Sequence, residues 1–284
     1  TNVITKIDGG LNLNLIRNLV AQIAEIKKEK EVLIITSGAI GAGMKELQLS
    51  SKPRDVAIKQ VCAAVGQNIL MARYQSFFNK HKIKVAQLLL TYDAFSDRKT
   101  YLNLRNALNN MLSMGIVPII NENDPISIDE IGPSFGDNDV LSALVASKIE
   151  ADLLIILTNV DGLFDKNPKE KNSKIIKEVF NIDKNIEKIG GKASYLGLGG
   201  MQTKVKAAKI ATQAGAHVII ANGALNNVLL KIMENEEIGT IFYPKQKMPN
   251  KKRWITQSKS NGTIYVDAGA KEALINGKNL LPAG

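Results

Sequence analysis

Six apolar segments, Val32 to Thr36, Lys84 to Leu89, Ile116 to Ile120, Leu153 to Leu157, His217 to Ala221 and Thr240 to Tyr243, are separated by stretches of helical character. Between Leu13 and Ile26, for example, Leu13, Ile16, Leu19, Val20, Ile23 and Ile26 recur at three to four residue spacing, the mark of an amphipathic helix lying on a sheet. Further helices are expected over Asp55 to Asn79, Asp97 to Leu112, Val140 to Ser147, Gly200 to Ala214 and Leu225 to Glu234, with a polar excursion running to about Lys188. Continuous apolar strands alternating with helices form a βαβ rhythm, which demands a mostly parallel sheet covered on both faces. Ligands of such sheets bind at the strands' carboxyl ends.

A chain of 284 residues with 45% hydrophobic content can bury a large core, enough for one large α/β domain and a small appendage. Its one cysteine, Cys62, excludes a disulfide framework or a cysteine-built metal site within the chain, and a reducing cytosol is the expected setting. No apolar run approaches the roughly 20 residues that span a bilayer, so no membrane partner is expected. The net charge of +10 is spread over lysines on helix faces, which solvates the chain and steers anionic substrates weakly. The densest basic group, Lys245, Lys247, Lys251, Lys252 and Arg253, precedes Trp254 in an expected linker.

Two runs, Asn121-Glu122-Asn123-Asp124 and Gly136-Asp137-Asn138-Asp139, place four carboxylates and three amides within nineteen residues directly after an apolar strand. Charges at the edge of a packed domain cost several kcal/mol each unless paired or ligand-bound, although acidic turns and helix caps are also common. Thr36-Ser37-Gly38-Ala39-Ile40-Gly41-Ala42-Gly43 follows a strand, so glycines let backbone amides approach a ligand where a helix begins. Gly197-Leu198-Gly199-Gly200-Met201-Gln202-Thr203-Lys204 repeats that logic with a lysine one turn into a helix, yet lacks the order of a Walker loop. Thr158-Asn159-Val160-Asp161-Gly162 ends a strand where a nucleotide can be held, and a plain Asp-Gly turn accounts for it nearly as well. His81 and His217 lie outside every motif. A carboxylate acceptor, already ionised at pH 7, would need no histidine as general base.

Ser37-Gly38-Ala39-Ile40, Gln87-Leu88-Leu89-Leu90-Thr91, Ile120 to Asp124, Gly136 to Asp139 and Gly199 to Lys204 occur in an order and spacing that resembles the amino acid kinase family. The likeness extends to about Arg253 and is nearest the branch that phosphorylates the side-chain carboxylate of L-glutamate. The resemblance implies a three-layer α/β/α sandwich around a mostly parallel open sheet. It implies MgATP as phosphoryl donor, L-glutamyl 5-phosphate as product for proline synthesis, a cytoplasmic homo-oligomer (dimer or tetramer), and proline as feedback inhibitor. Carried over by position, Ser37, Asp124 and Asn138 would hold glutamate, with Asn121 nearby. Thr158, Asn159, Leu198, Gly199, Gly200, Met201, Gln202, Thr203 and Lys204 would hold ATP. Lys204 would neutralise the transferring phosphoryl group, and Asp139 would orient the catalytic lysines. No metal ligand is assigned.

The chain departs from that pattern at its start, where the family's Lys-x-Gly-[Ser/Thr] strand would precede Thr1, leaving a first strand expected to be missing. Asn159 stands where an aspartate is usual, Leu198 where a small polar residue is usual, and Pro125 after Asp124 is uncommon. Residues 1–250 are thus expected to form the kinase domain and 251–284 a linker plus the start of a PUA-like domain, suggested by Gly262 to Ala270 and Leu280 to Gly284. So short a fragment leaves too little for a core, and no RNA partner is expected. Two alternatives stand beside this reading: a sibling kinase acting on another carboxylate, carbamate or nucleotide phosphate, and a weakly catalytic regulator that senses proline or binds RNA.

Overall fold

A polar cap followed by an apolar stripe explains the first helix, α1 (Leu13–Ile26). Asn12 Oδ1 accepts from the Leu15 N–H at 3.3 Å, and Ile16, Val20 and Ile23 turn inward. The computed structural model describes residues 3–6, 10–51, 53–91, 93–126, 138–168, 170–192, 200–244 and 265–278. Asp55 and Asp97 cap the next long helices in the same manner, accepting at 2.7 Å from Ala57 N and Thr100 N. These open α3 (Val56–Asn79) and α5 (Arg98–Ser113), while α2 (Ala39–Glu46) and the single turn α4 (Asp93–Ser96) precede them. Five more helices follow: α6 (Asn138–Ile149), α7 (Lys184–Lys192), α8 (Gly200–Gln213), α9 (Val228–Met233) and α10 (Ala268–Ile275).

The strands form two sheets. β1 (Ile34–Ile35), β2 (Val85–Leu90) and β3 (Val117–Glu122) run parallel in the order β1-β3-β2. β4 (Leu153–Thr158), β5 (Glu178–Val179), β6 (His217–Asn222) and β7 (Thr240–Phe242) take the order β4-β6-β7-β5. β4 and β6 are parallel and in register from Leu153↔His217 to Thr158↔Asn222, whereas β7 is antiparallel to β6.

Successive strand residues serve opposite faces, so the apolar runs feed two helical layers. Val117, Ile119 and Ala221 pack with α1, α3 and α9 on one side. Ile120, Leu154, Ile156, Val218 and Ile220 face α5, α6 and α8 on the other. α6 spans both sheets on that side: Leu141 and Leu144 join the cluster around Ile120, and Ala143 and Ala146 join the one around Ile156. The layers match the expected three-layer sandwich, but the strands fall into two sheets where one was expected. The strand expected over Val32 to Thr36 is correspondingly short, because β1 ladders only with β3, at Ile34↔Ile119 and Ile35↔Ile120.

Two further differences have local causes. The helix expected from Leu225 begins at Val228, since Asn227 adopts a left-handed backbone with φ 55°. The polar excursion contains β5 and α7, the latter opened by Asp183, whose Oδ1 accepts from Asn185 N and Ile186 N at 2.9 and 3.0 Å. In the carboxyl-terminal segment only 265–278 is described, carrying α10 with none of its residues buried. The basic group from Lys245 to Arg253 lies outside the described residues.

α2 and α3 meet backbone to backbone. A Cβ at Gly66 would fall 1.8 Å from the Ala39 carbonyl oxygen, and one at Gly43 would fall 1.8 Å from that of Cys62. Gly66→Ala must therefore push the helices apart and should destabilise the fold by about 3 kcal/mol. Urea unfolding of the purified variant would reveal this as a lowered midpoint. A midpoint equal to that of the parent would show that the two helices separate freely.

Candidate active site

The carboxyl ends of β1 and β3 are tied together by amide side chains. Thr36 extends the β1 ladder, its N–H donating to Ile120 O at 2.8 Å. Asn121, near the end of β3, is almost fully buried, and its Nδ2 donates to Oε1 of Gln67 on α3 at 2.8 Å. Its Oδ1 accepts from Nδ2 of Asn138 at 2.8 Å, and that nitrogen also donates to the Thr36 carbonyl at 2.5 Å. Asn138 is the first residue of α6, so these bonds anchor the helix to the strand ends. Behind them the Tyr74 hydroxyl lies 3.1 Å from Thr36 Oγ1 in the interior, and burial pushes this phenol's pKa up.

The next residue faces the other sheet. Asp139 Oδ2 is 2.8 Å from Lys204 Nζ, and both side chains are nearly buried. Thr203 Oγ1 donates to the same carboxylate oxygen at 3.0 Å, while Lys204 Nζ reaches the Gly200 carbonyl at 3.2 Å. A desolvated ion pair needs such added hydrogen bonds to offset its solvation cost. Because Asp139 lies in the first turn of α6 and Lys204 in the first turns of α8, the amino ends of both helices lie together. With the Lys204 charge balanced by Asp139, the two positive helix ends are what would favour an anion here.

Asp124, in the turn after β3, is half-buried. Burial first and the neighbouring Glu122 charge second push its pKa up to about 6. Ser37, also half-buried, sits between Thr36 and Gly38, where φ of 95° suits glycine at the start of α2.

At the ends of β4 and β6, Thr158 is buried, with its Oγ1 3.4 Å from Oδ1 of the exposed Asn159. Asn222 braces this edge, donating from Nδ2 to Asp161 at 2.8 Å and accepting from Ala224 N at 3.0 Å. In the glycine-rich run, Gly200 opens α8 with no described atom within 4 Å of where a Cβ would stand, Met201 packs against the cluster around Ile156, and Gln202 is exposed. Leu198, Gly199, Gly136 and Asp137 lie outside the described residues. Among the described residues no group of three histidine, cysteine or acidic side chains could hold a metal ion.

The structure thus joins Asn121 to Asn138 and Asp139 to Lys204, and sets Thr158 at a separate strand end. Sequence reading did not single out Gln67, Tyr74 or Asn222. The signal for Gln67 was a polar residue next to a helix-packing glycine within a long apolar helix.

An α/β/α sandwich that brings two helix amino ends and a lysine together at strand carboxyl ends is an architecture that suits phosphoryl transfer. The chain belongs to the amino acid kinase family, whose model matches residues 1–222. It is similar to a protein named glutamate 5-kinase from Methanosarcina barkeri, with 52% identity over 284 residues, covering 99% of this chain and 74% of that protein. It is also similar to the glutamate 5-kinase of Caldanaerobacter subterraneus subsp. tengcongensis, with 49% identity, covering all of this chain and 77% of that one. Among solved structures, a carbamate kinase from Giardia lamblia bound to AMP-PNP superposes with a TM-score of 0.61 at 15% identity, covering 86% of this chain and 96% of that one. An isopentenyl phosphate kinase from T. acidophilum gives 0.59 at 18%, covering 85% and 96%. At such identities these two structures share the fold. No helix among the described residues is long and apolar enough to cross a membrane.

The Asp124 shift has a definite sign. An unfolded aspartate near 3.8 loses its proton first, while the folded one holds it to about 6, so this residue's contribution to stability falls as pH rises between those values. Asp124→Asn should therefore gain up to about 3 kcal/mol relative to the parent between pH 4 and pH 7.5, read from paired urea curves. A difference that does not change with pH would remove the buried-carboxylate account.

Proposed function

We propose that the chain transfers the γ-phosphoryl group of ATP to the side-chain carboxylate of L-glutamate, forming L-glutamyl 5-phosphate, the first step of proline biosynthesis. The observation that carries this reading is the kinship with glutamate 5-kinases, 52% identical over 284 residues in one of them. The junction at the start of α6 supports it, because neighbouring residues there reach the amide chain at the strand ends and a buried lysine.

On this reading Ser37, Asp124 and Asn138 hold glutamate beside Asn121, and Thr158, Asn159 and the run from Leu198 to Lys204 hold ATP. The acceptor carboxylate is ionised at neutral pH and needs no general base, so the protein's task is positioning and neutralisation of charge. Lys204 supplies the positive charge to the transferring group. Asp139 keeps its ammonium in place, with Thr203 holding the carboxylate in turn. Magnesium enters as MgATP, a hard cation satisfied by phosphate oxygens and water with at most one or two carboxylates from the protein.

The same reading assigns a cytoplasmic homo-oligomer, a dimer or tetramer, with proline as feedback inhibitor. It divides the chain into a kinase domain over 1–250 and a linker with the start of a PUA-like domain over 251–284.

Incubation with MgATP, L-glutamate and hydroxylamine should yield glutamyl hydroxamate, and aspartate should yield little; equal trapping from both would count against the glutamate assignment. Lys204→Met should lower kcat roughly 100- to 1,000-fold. Because it strands a buried carboxylate, the variant should also lose roughly 3 kcal/mol of stability, so turnover is compared below its melting range. A folded Lys204→Met enzyme with the parent's rate would end the role given to this lysine.

A further inference from the structure

Gln67 is a buried polar side chain for which the roles above have no use. It is 7% exposed on α3, and its Nε2 meets no hydrogen-bond acceptor among the described residues. A buried amide donor without a partner is costly, so something in its surroundings must compel that orientation.

The direction of the amide chain supplies the reason. A backbone carbonyl can only accept, so the Thr36 oxygen compels Asn138 to turn its Nδ2 inward, at 2.5 Å. That NH₂ group also donates to Asn121 Oδ1 at 2.8 Å, which obliges Asn121 to turn its own Nδ2 toward Gln67. Gln67 must then offer Oε1, which it does at 2.8 Å, leaving Nε2 over. Rotating the Gln67 amide by half a turn would set two NH₂ groups face to face. The relay therefore moves its one mismatch to the end farthest from α6. At its other end both Asn138 amide protons are used, and Oδ1 remains as an acceptor.

We infer that Gln67 is a positioning residue: by accepting from Asn121 it keeps the Asn121 oxygen on the second Asn138 amide proton, which steadies the orientation set by the Thr36 carbonyl and leaves the Asn138 oxygen for the bound amino acid. An oxygen there, with the Asp124 carboxylate, suits the substrate's ammonium group and rejects a carboxylate in that position. The inference rests on the function proposed above and names a part of the acceptor site that lies outside direct contact with the substrate.

The test uses the full chain. Gln67→Met, close in shape but without an acceptor, should raise KM for glutamate about tenfold while KM for ATP and kcat stay within about twofold. In a double-mutant cycle with Asn138→Ala, the second change should add nothing, because Gln67 acts through Asn138. Gln67→Glu retains an acceptor for Asn121 and should keep KM within about threefold of the parent. Additive losses in the cycle, or an unchanged KM in Gln67→Met, would overturn the inference. Should Gln67→Met fail to fold, Gln67→Glu decides: near-parental KM supports the role and a tenfold rise refutes it. Failure of the parent itself to phosphorylate glutamate would bring down the functional reading instead. A parent that turns over with an additive cycle brings down this inference alone.

Discussion

The start of α6 is the point on which the two halves of the molecule depend. Asn138 binds the carboxyl ends of β1 and β3, while Asp139 binds α8, which packs on the other sheet. One peptide unit separates an amide that belongs to one sheet from a carboxylate that belongs to the other. Since α6 packs across both sheets below this point, the side chains above it are held from two directions. The division between the two sheets is bridged by a helix whose first two residues are polar and whose remainder is largely buried.

The charges around this junction are treated unequally. Asp139 is paired with a lysine and hydrogen-bonded by a threonine, which offsets the cost of burying its charge. Among the described residues Asp124 receives no comparable help, and its raised pKa records both its burial and the nearness of Glu122. A cationic substrate group would relieve the second carboxylate as Lys204 relieves the first. On the function proposed above, the turn that bears Asp124 would favour an ammonium group and the Lys204 end of α8 a phosphate, so each substrate would be drawn to its own side.

Much of the fold was readable because strand-length apolar runs and helical stripes leave few alternatives. The bounds of α1 follow from Asn12 and the spacing of Ile16, Val20 and Ile23. β5 escaped notice because two residues, one of them exposed, carry no periodicity. The division of the strands into two sheets was equally hidden, since pairing between distant segments leaves no local mark. At the site, Asn121, Asn138, Asp139 and Lys204 stood out because polar residues after buried strands or at helix starts are conspicuous. Gln67 and Tyr74 did not, for a polar residue in a long helix ordinarily faces water, and only the packing shows that these two face inward.

The glycine contact between α2 and α3 has a mechanical meaning. With no side chains between them at Gly43 and Gly66, these helices have nothing compressible to absorb relative sliding. The loop bearing Ser37, which leads into α2, must therefore travel with α3 as one stiff lever.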